Sequence, residues 1–598
     1  MSLEKEGKIY VFHNKKSVLL FTWSFILRHK ITFLILLIVS VGAALDEMVT
    51  PYMLDIVLKN VEIFNVNAHH FSALRGSVFA MIGAWLTFDV LYRISGLIAS
   101  YIYPLVESEV RMFIYKEIQF YRPLYFAKES MEGIVENSIA DTADGIQEII
   151  EFLITSLIPG LIALLACVTQ IFFRNRSIGF LVVVWAIFHI LFCVFLLNKS
   201  IPASSRLQNA QNKLAARIVD SLINRNITIQ CNNQKLEYDY LSKYQDDEMY
   251  AHRNLLLENE KIKFFLTVVV IILCIFLFLN ILSLLKMKAI KISDMVFLYL
   301  AILSIVRQVW QVGTQLLPFV EGLGQCHKGL SIFNDDMRLT NINNTNVFSP
   351  KDDSIEFRNV TLYENNKCIL NNVSFFIKDK EKVALLGKSG SGKTTLLKVI
   401  LSLTSPYEGD VFIGGVNIKN VNSNEIRNYC GLLDQKHYWF DRSIKENLLY
   451  GNPTATDKEL KEVCEKASIY QFIQDLPEKW HTVANMNTLS GGQVQRLCFA
   501  RLLIRKTKIM MCDELSNGLD VSVQKFLGNF IDEYKGTCLL TTHNLYYRKI
   551  FHRLIIIENG KIIDTGTHEE LQHTSQIYQD MLQQFQTGDN HEETLEEL

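Results

Sequence analysis

The chain has 598 residues, 49% of them hydrophobic and 20% charged, with a mean hydropathy of +0.16 and a formal net charge of −2. That balance suits a membrane protein carrying a soluble domain, and it offers no basic excess for nucleic acid, so no nucleic-acid partner is expected. Length alone allows about four domains at roughly 150 residues each, yet the residues divide more naturally into two.

In chain order, Lys15, Lys16, Arg28 and Lys30 precede the first apolar run, and nothing before it resembles a cleavable signal or a transit peptide. A cytoplasmic N-terminal segment, residues 1–30, is the expectation. Six stretches long enough to span a bilayer follow within residues 31–334: Ile31–Leu54, Val78–Leu105, Ile149–Phe173, Ile178–Leu197, Phe264–Leu285 and Met295–Val320. The gaps after the second and the fourth are long, charged and helical in pattern; the others are shorter. Within a span an ionisable side chain costs roughly 2.5–3.5 kcal/mol on insertion scales and needs a reason to be there. Asp46 and Glu47 lie in the first span. Asp89 and Arg93 lie in the second, four apart, where they can neutralise each other. Arg307 lies in the sixth, where Gln311 and Gln315 continue one polar stripe with Gln308 beside it. Asp89, Arg93, Arg307, Gln308, Gln311 and Gln315 are therefore candidates for a substrate cavity suited to an amphipathic molecule with an anionic or hydrogen-bonding head. Packing against a neighbouring helix is the alternative. Eleven cysteines are scattered singly without C-x-x-C spacing and read as small buried hydrophobes in a reducing compartment.

A polar, Asn-rich linker, residues 335–354, leads into an α/β pattern over residues 355–575, and an acidic tail, residues 576–598, follows. Val383–Leu386 is a short apolar run of buried-strand type and Thr395–Ile400 continues as a helix. Between them Gly387, Lys388, Ser389, Gly390, Ser391, Gly392, Lys393 and Thr394 form a complete G-x-x-x-x-G-K-[ST] loop. Its glycines let backbone N–H groups turn inward around the β- and γ-phosphates of ATP at the positive end of a helix. Lys393 adds a point charge, and Thr394 a hydroxyl for Mg2+. Downstream, an apolar strand ends in Asp513 and Glu514, one carboxylate to hold Mg2+ and the next to polarise the attacking water. Leu489, Ser490, Gly491, Gly492 and Gln493 make a small-residue turn opening a helix whose first N–H groups suit a phosphate. Gln435 follows a short apolar segment, and His543 ends the strand Cys538–Thr542.

These motifs in this order resemble the nucleotide-binding domain of ABC transporters over about Ile355–Leu571. The resemblance implies a head-to-tail dimer with ATP held between Gly387–Thr395 of one domain and Leu489–Gln493 of the other. It also implies Glu514 as catalytic base, His543 on the γ-phosphate, Gln435 sensing Mg2+ and the membrane domain, and Asp520 communicating across the interface. Three departures stand out. In Val360–Glu364 the adenine-stacking aromatic, Tyr363, comes one place early; the lead-in to the signature reads Ala484–Thr488 in place of Gly-Glu-x-Gly; and the turn before Asp520 begins Asn517-Gly518. None removes a phosphate, magnesium or water-activating group, so a hydrolysing site is expected.

The rhythm of the spans, short gaps outside and long gaps inside, resembles the exporter-type ABC membrane domain. By that resemblance Glu132–Asp144 and Asp220–Asn226 are candidate coupling segments, the second docking on a partner's ATPase domain. Asp220–Asn224 with Cys231–Gln234 also resembles, faintly, a stretch of mitochondrial-type exporters of thiol conjugates. Arg174, Arg176, Lys286, Lys288 and Lys291 fall in loops that six spans place outside, against the bias for basic residues inside. The need of the ATPase domain to meet ATP outweighs that bias. The expectation is a polytopic α-helical membrane domain of exporter type with six transmembrane helices, followed by an α/β P-loop ATPase domain. Its function is then that of an ATP-driven exporter or flippase of lipids, drugs or related amphipathic small molecules, with thiol or glutathione conjugates or peptides as alternative cargo. It is expected to pair with a second copy of itself or a related half-transporter, among membrane lipids, in a bacterial inner membrane. An ATP-gated channel or regulatory subunit is the competing reading, and an intact Glu514, His543 and signature favour turnover.

Overall fold

The computed structural model describes residues 15–66, 71–122, 131–287, 292–333, 339, 346–364, 367–404, 407–485, 488–514, 528, 530–542, 545, 548 and 550–589. They fall into two compact units, a helical one up to Asp336 apart from 122–124, and an α/β one from Met337.

The helical unit opens with α1 (Lys15–Arg28), α2 (Lys30–Ala44), α3 (Asp46–Val66) and α4 (Phe71–Ile118). Along α1, Val18, Phe21, Phe25 and Ile26 are buried, and Phe25 meets Phe113 of α4 edge-on at 6.2 Å. Backbone bonds continue across the α2–α3 junction, Leu45 N to Val41 O at 3.1 Å and Val49 N to Leu45 O at 3.0 Å, so the pair acts as one rod. Helix α5 (Met131–Glu151) passes through a π turn, Phe152–Leu157, into α6 (Ile158–Arg174). That turn directly precedes Pro159, which has no N–H to give the carbonyl four residues back, and an i→i+5 bond is one way around the gap. The unit is completed by α7 (Arg176–Ile223), α8 (Arg225–Gln230), α9 (Gln234–Lys286), α10 (Ile292–Thr314) and α11 (Leu316–Leu330).

Among the described residues five helices are long and apolar enough to cross a membrane: Lys30–Phe64, Phe71–Ile118, Val135–Arg174, Gln234–Lys286 and Ser293–Val312. The span read as Ile178–Leu197 lies on α7, whose described apolar run is the shorter Arg176–His189. The one read as Met295–Val320 divides between α10 and α11 at Gln315. Outward side chains such as Leu97, Tyr101 and Phe173 are more than two-thirds exposed, which is costly in water and natural in lipid. On α9 the buried residues Leu255, Asn259, Ile262, Leu266, Val270, Leu273, Leu277 and Ile281 recur at steps of three and four and form a single seam. Helices α5 and α11 cross at glycines: a β-carbon on Gly145 would lie 2.6 Å from Gly322 O, and one on Gly322 2.8 Å from Gly145 O.

The basic residue Arg174, awkward for the expected topology, is neutralised in place. It pairs with Asp55, which is 1% exposed, and with Asp294 at 2.6 Å, and its guanidinium lies over the Phe297 ring at 5.0 Å. Lys288 and Lys291 lie outside the described residues. Of the candidate couplers, Glu132–Asp144 falls inside α5. Asp220–Asn226 spans the end of α7, where Asn224 Nδ2 donates to Asp220 O at 3.0 Å.

The α/β unit contains a four-stranded sheet ordered β2-β1-β4-β5, from β1 (Ile355–Glu364), β2 (Lys367–Ile377), β4 (Glu408–Ile413) and β5 (Val416–Asn417). Beside it stands a six-stranded sheet ordered β12-β11-β3-β10-β9-β6, from β3 (Lys382–Leu386), β6 (Cys430–Leu433), β9 (Ile509–Asp513), β10 (Thr537–Thr542), β11 (Arg553–Glu558) and β12 (Lys561–Gly566). A two-stranded ribbon joins β7 (Arg442–Ser443) to β8 (Val483–Ala484). In the larger sheet β11, β3, β10, β9 and β6 are parallel and only β12 is antiparallel. Parallel strands are covered on both faces and read as unbroken apolar runs. In β3 every residue is buried, and in β10 every one as well. Ligands of such sheets bind beyond the carboxyl ends of the strands, where strand order reverses.

Candidate functional site

At the carboxyl end of β3 the chain enters the loop Gly387–Gly392 and then α12 (Lys393–Ile400). Gly390 and Gly392 have φ of 80° and 104°, left-handed values that a side chain resists. Gly387 is fixed by crowding instead, since a β-carbon there would lie 2.3 Å from Ile557 O. Lys388, Ser389 and Gly390 are exposed, and Thr395 is half-buried. Lys393 is buried and folds over its own loop, donating to Gly387 O at 2.7 Å and Lys388 O at 3.0 Å. Burial pushes its amine below the ordinary lysine value, against the opposing pull of Glu514 and Asp513. Among the described residues Ser391 Oγ is buried without a hydrogen-bond partner, and a hydroxyl in a glycine cradle fits an anion such as phosphate.

The sheet brings the carboxylates to the same edge. Parallel pairing sets Leu386 beside Thr542 and Thr541 beside Asp513. It also sets Leu433 beside Cys512, so that Gln435 and Glu514, each two residues on, meet beyond the strand ends. There Gln435 Nε2 donates to Glu514 Oε2 at 2.5 Å. Thr394 Oγ1 donates to Asp513 Oδ2 at 2.7 Å, and Thr541 Oγ1 donates to Asp513 Oδ1. Glu514 has a φ of 49°, held by its N–H, which donates to Thr541 O and Thr541 Oγ1, both at 3.1 Å. Thr541, wholly buried, thus holds the Asp513 carboxylate and the backbone of Glu514. Its residue type reads in the sequence as an ordinary strand former, so only tertiary pairing exposes its role. Nearby, burial raises the Asp434 carboxyl above its usual value.

The turn Leu489–Gln493 starts α13 (Gly491–Leu503). Ser490 N donates to Gln493 Oε1 at 2.9 Å and Gln493 N to Ser490 Oγ at 3.3 Å, a reciprocal capping box. Among the described residues a β-carbon on Gly491 or Gly492 would meet nothing within 4 Å, so packing against those residues does not demand these glycines. The unusual lead-in closes on itself, with Asn485 N donating to Thr488 Oγ1 at 3.0 Å and Thr488 N to Asn485 Oδ1 at 3.1 Å. Tyr363 is exposed, and a β-bulge between Leu362 and Tyr363 shifts the pairing to Leu362–Leu370 and Tyr363–Cys368. Such an irregularity re-aims a side chain. His543, Asp520 and the turn Asn517–Asp520 lie outside the described residues.

The membrane candidates separate. Arg93 Nη2 and Asp89 Oδ1 stand 3.9 Å apart on α4, with side chains 73% and 67% exposed. Arg307 Nη2 pairs with Glu47 Oε2 of α3 at 2.7 Å, and Gln311 is exposed one turn on. Gln308 turns inward: it is 7% exposed, with Nε2 3.0 Å from where a β-carbon on Gly160 of α6 would stand. Gln315 is half-buried at the α10–α11 junction.

Residues 370–517 match the family model described as ABC transporter. A Staphylococcus aureus protein named for multidrug export (ATP-binding/permease) is 36% identical over 212 residues, 35% of this chain and 37% of that relative. A Haemophilus influenzae ABC transporter ATP-binding protein, itself uncharacterized, is 30% identical over 268 residues, 43% of this chain and 44% of that relative. The match thus spans less than half the length of these curated relatives. A solved structure described as a bacterial Atm1-family ABC exporter with ATP bound superposes with a TM-score of 0.84 at 18% identity, covering 91% of this chain and 97% of the other; it shows a shared fold.

Proposed function

We propose that the chain is an ABC half-transporter, one helical domain fused to one ATP-binding domain, and an ATP-driven exporter of amphipathic small molecules working as a pair of chains; the ABC transporter match over residues 370–517 and the relatives named for multidrug export support this reading. It is an integral membrane protein by its apolar helices; we place residues 31–334 in the bacterial inner membrane as the transport part and residues 355–575 in the cytoplasm as the motor. The observation that carries the reading is the array Thr394, Asp513, Thr541, Glu514 and Gln435, assembled at one sheet edge beside the phosphate loop. Backbone N–H groups of Gly387–Thr395 and the Lys393 ammonium hold the phosphates of ATP; for this Lys393 leaves its own carbonyls. Glu514 takes a proton from the attacking water, while Gln435, hydrogen-bonded to it, and the doubly engaged Glu514 N–H fix where that carboxylate points. Thr394 and Asp513, 2.7 Å apart, supply the oxygen donors a hard cation prefers. They would hold Mg2+, which when bound offsets the charge of the phosphates.

The capped N-terminus of α13 supports pairing, because glycines that packing among the described residues does not require leave room for a nucleotide presented by a second copy. His543 and Asp520 join this site by family resemblance, as does Tyr363 under the adenine.

The test is ATP-dependent accumulation of a fluorescent amphiphile in vesicles carrying the purified protein. Glu514→Gln should retain ATP and drop turnover at least about a hundredfold. Normal turnover in that variant removes Glu514 as the base; normal turnover without accumulation in the wild type removes export.

A further inference from the structure

We infer that the exposed face of α10, between α3 and α9, recognises the anionic head of an amphipathic cargo, and that Glu47 occupies Arg307 as an internal stand-in for that head. The inference rests on the export reading and names the chemistry of what is carried.

Arg307 lies in the apolar run Ser293–Val312, yet its side chain is 66% exposed. A guanidinium turned to acyl chains is strongly disfavoured, so this face meets water or another polar surface. Its partner Glu47 is withdrawn, 20% exposed, and its Oε2 lies 2.7 Å from Nη2 as an ion pair without a formed hydrogen bond. The exposed half of the ion pair is therefore the positive half, and the guanidinium keeps a planar edge of N–H donors suited to a carboxylate or phosphate.

The neighbouring side chains suit the rest of such a molecule. Tyr299, Leu303 and Trp310 are exposed on the same side of α10 as Arg307, at steps of four, four and three residues, and Gln311 follows. Toward α9 a cavity of about 80 Å³ is lined by Leu266, Val270, Val306, Val309 and Trp310, with Lys263 also on its wall. The face thus offers the Arg307 guanidinium, two aromatic rings and an apolar recess with the Lys263 ammonium on its wall. A neutral or cationic amphiphile placed there leaves Arg307 uncompensated once Glu47 is displaced, which builds in selection against both.

The test uses full-length protein in phosphatidylcholine nanodiscs without nucleotide, titrated with dansyl-labelled undecanoate and with its uncharged methyl ester. The wild type should bind the acid about tenfold tighter than the ester. Arg307→Gln should bring the acid down to the ester's affinity, Arg307→Lys should keep part of the preference, and Glu47→Gln should tighten the acid several-fold by removing the internal competitor. An acid-to-ester ratio unchanged in Arg307→Gln overturns the inference. So does weakening of the acid by Glu47→Gln, which would make the pair purely structural. A change of oligomeric mass in Arg307→Gln also overturns it, by assigning the face to a second copy. Added phosphatidylglycerol distinguishes the sources of the anion: competition in the wild type but not in Arg307→Gln marks a lipid headgroup, and no competition marks a free amphiphile. Because binding is read without ATP, loss of ATP-driven transport with acid preference intact sinks the export reading alone, and the reverse result sinks this one alone.

Discussion

Replacing Thr541 by valine should slow ATP hydrolysis without loosening ATP binding. The side chain is wholly buried, and its hydroxyl donates to Asp513 Oδ1 while accepting from Glu514 N–H. Valine keeps the shape and loses both bonds. A hydrogen bond to a charged group is worth about 1.5–3 kcal/mol net. If that is lost where the carboxylates act, at about 1.4 kcal/mol per tenfold, kcat falls roughly ten- to hundredfold. KM for ATP should hardly move, because Lys393 and the loop amides proposed to bind the ground state are untouched. Some of the loss will appear as lower stability, about 2–4 °C in melting temperature for a domain of this size. Phosphate release measured over a range of ATP concentrations, with a melting curve of the same preparation, separates the two effects. Thr541→Ser restores the hydroxyl and should recover most of kcat. A kcat within twofold of wild type in Thr541→Val, or a serine variant as slow as the valine one, would refute the assignment of Thr541 as the residue that positions the Asp513 carboxylate and the Glu514 backbone.

Gly491→Ala should leave melting behaviour unchanged, since its β-carbon meets nothing within 4 Å among the described residues, yet lower ATPase activity about tenfold or more by obstructing the phosphate of a second copy; full activity would count against composite sites. Gly145→Ala should destabilise the helical unit by about 1–3 kcal/mol, because its β-carbon would stand 2.6 Å from Gly322 O, and a melting point equal to wild type in detergent would contradict that crossing. Lys506 and the Thr456 cap hold the Glu459 carboxyl at about 2, below its ordinary 4.5. A depressed folded value means stability that is present above pH 4.5 and is lost as pH falls toward 2. The melting-temperature gap between wild type and Glu459→Gln should therefore close over that window, and a gap that stays constant would show another origin.

How far the site could be read in the sequence follows from how its chemistry is arranged. The phosphate loop is contiguous, because one turn between one strand and one helix must supply all the amides, so Gly387–Thr394 spells itself out. Asp513 and Glu514 were legible as the polar end of an apolar strand. Thr541 was not, because its function arises from standing beside Asp513 on an adjacent parallel strand, and a threonine in a strand carries no such mark. The same holds for Glu47 and Arg307, each singled out as an ion within a span, but 260 positions apart and joined only when α3 packs near α10. Gln308 reads in the sequence as lying beside the stripe, which faces a cavity or a neighbouring helix; one step along a helix is about 100°, and the side chain stands toward Gly160 of the neighbouring α6. Asp55 drew no notice at all, though with Arg174 and Asp294 it explains how a basic residue is accommodated at the awkward end of α6.

The π turn at Phe152–Leu157 has a bearing on descent as well as shape. A turn closed by i→i+5 bonds uses one residue more than an α turn, and so displaces the azimuth of every later side chain by about 100° without changing the axis much. Everything on α6 depends on that phase: Gly160 facing Gln308, Cys167 Sγ lying 3.7 Å from Glu47 O, and Arg174 reaching Asp55. Removing one residue from the turn would return the backbone to an ordinary helix while rotating all of these groups off their partners together. A single inserted codon is thus enough to give a helix a new inward face, and once neighbouring helices have adapted to that face the insertion can no longer be reversed alone.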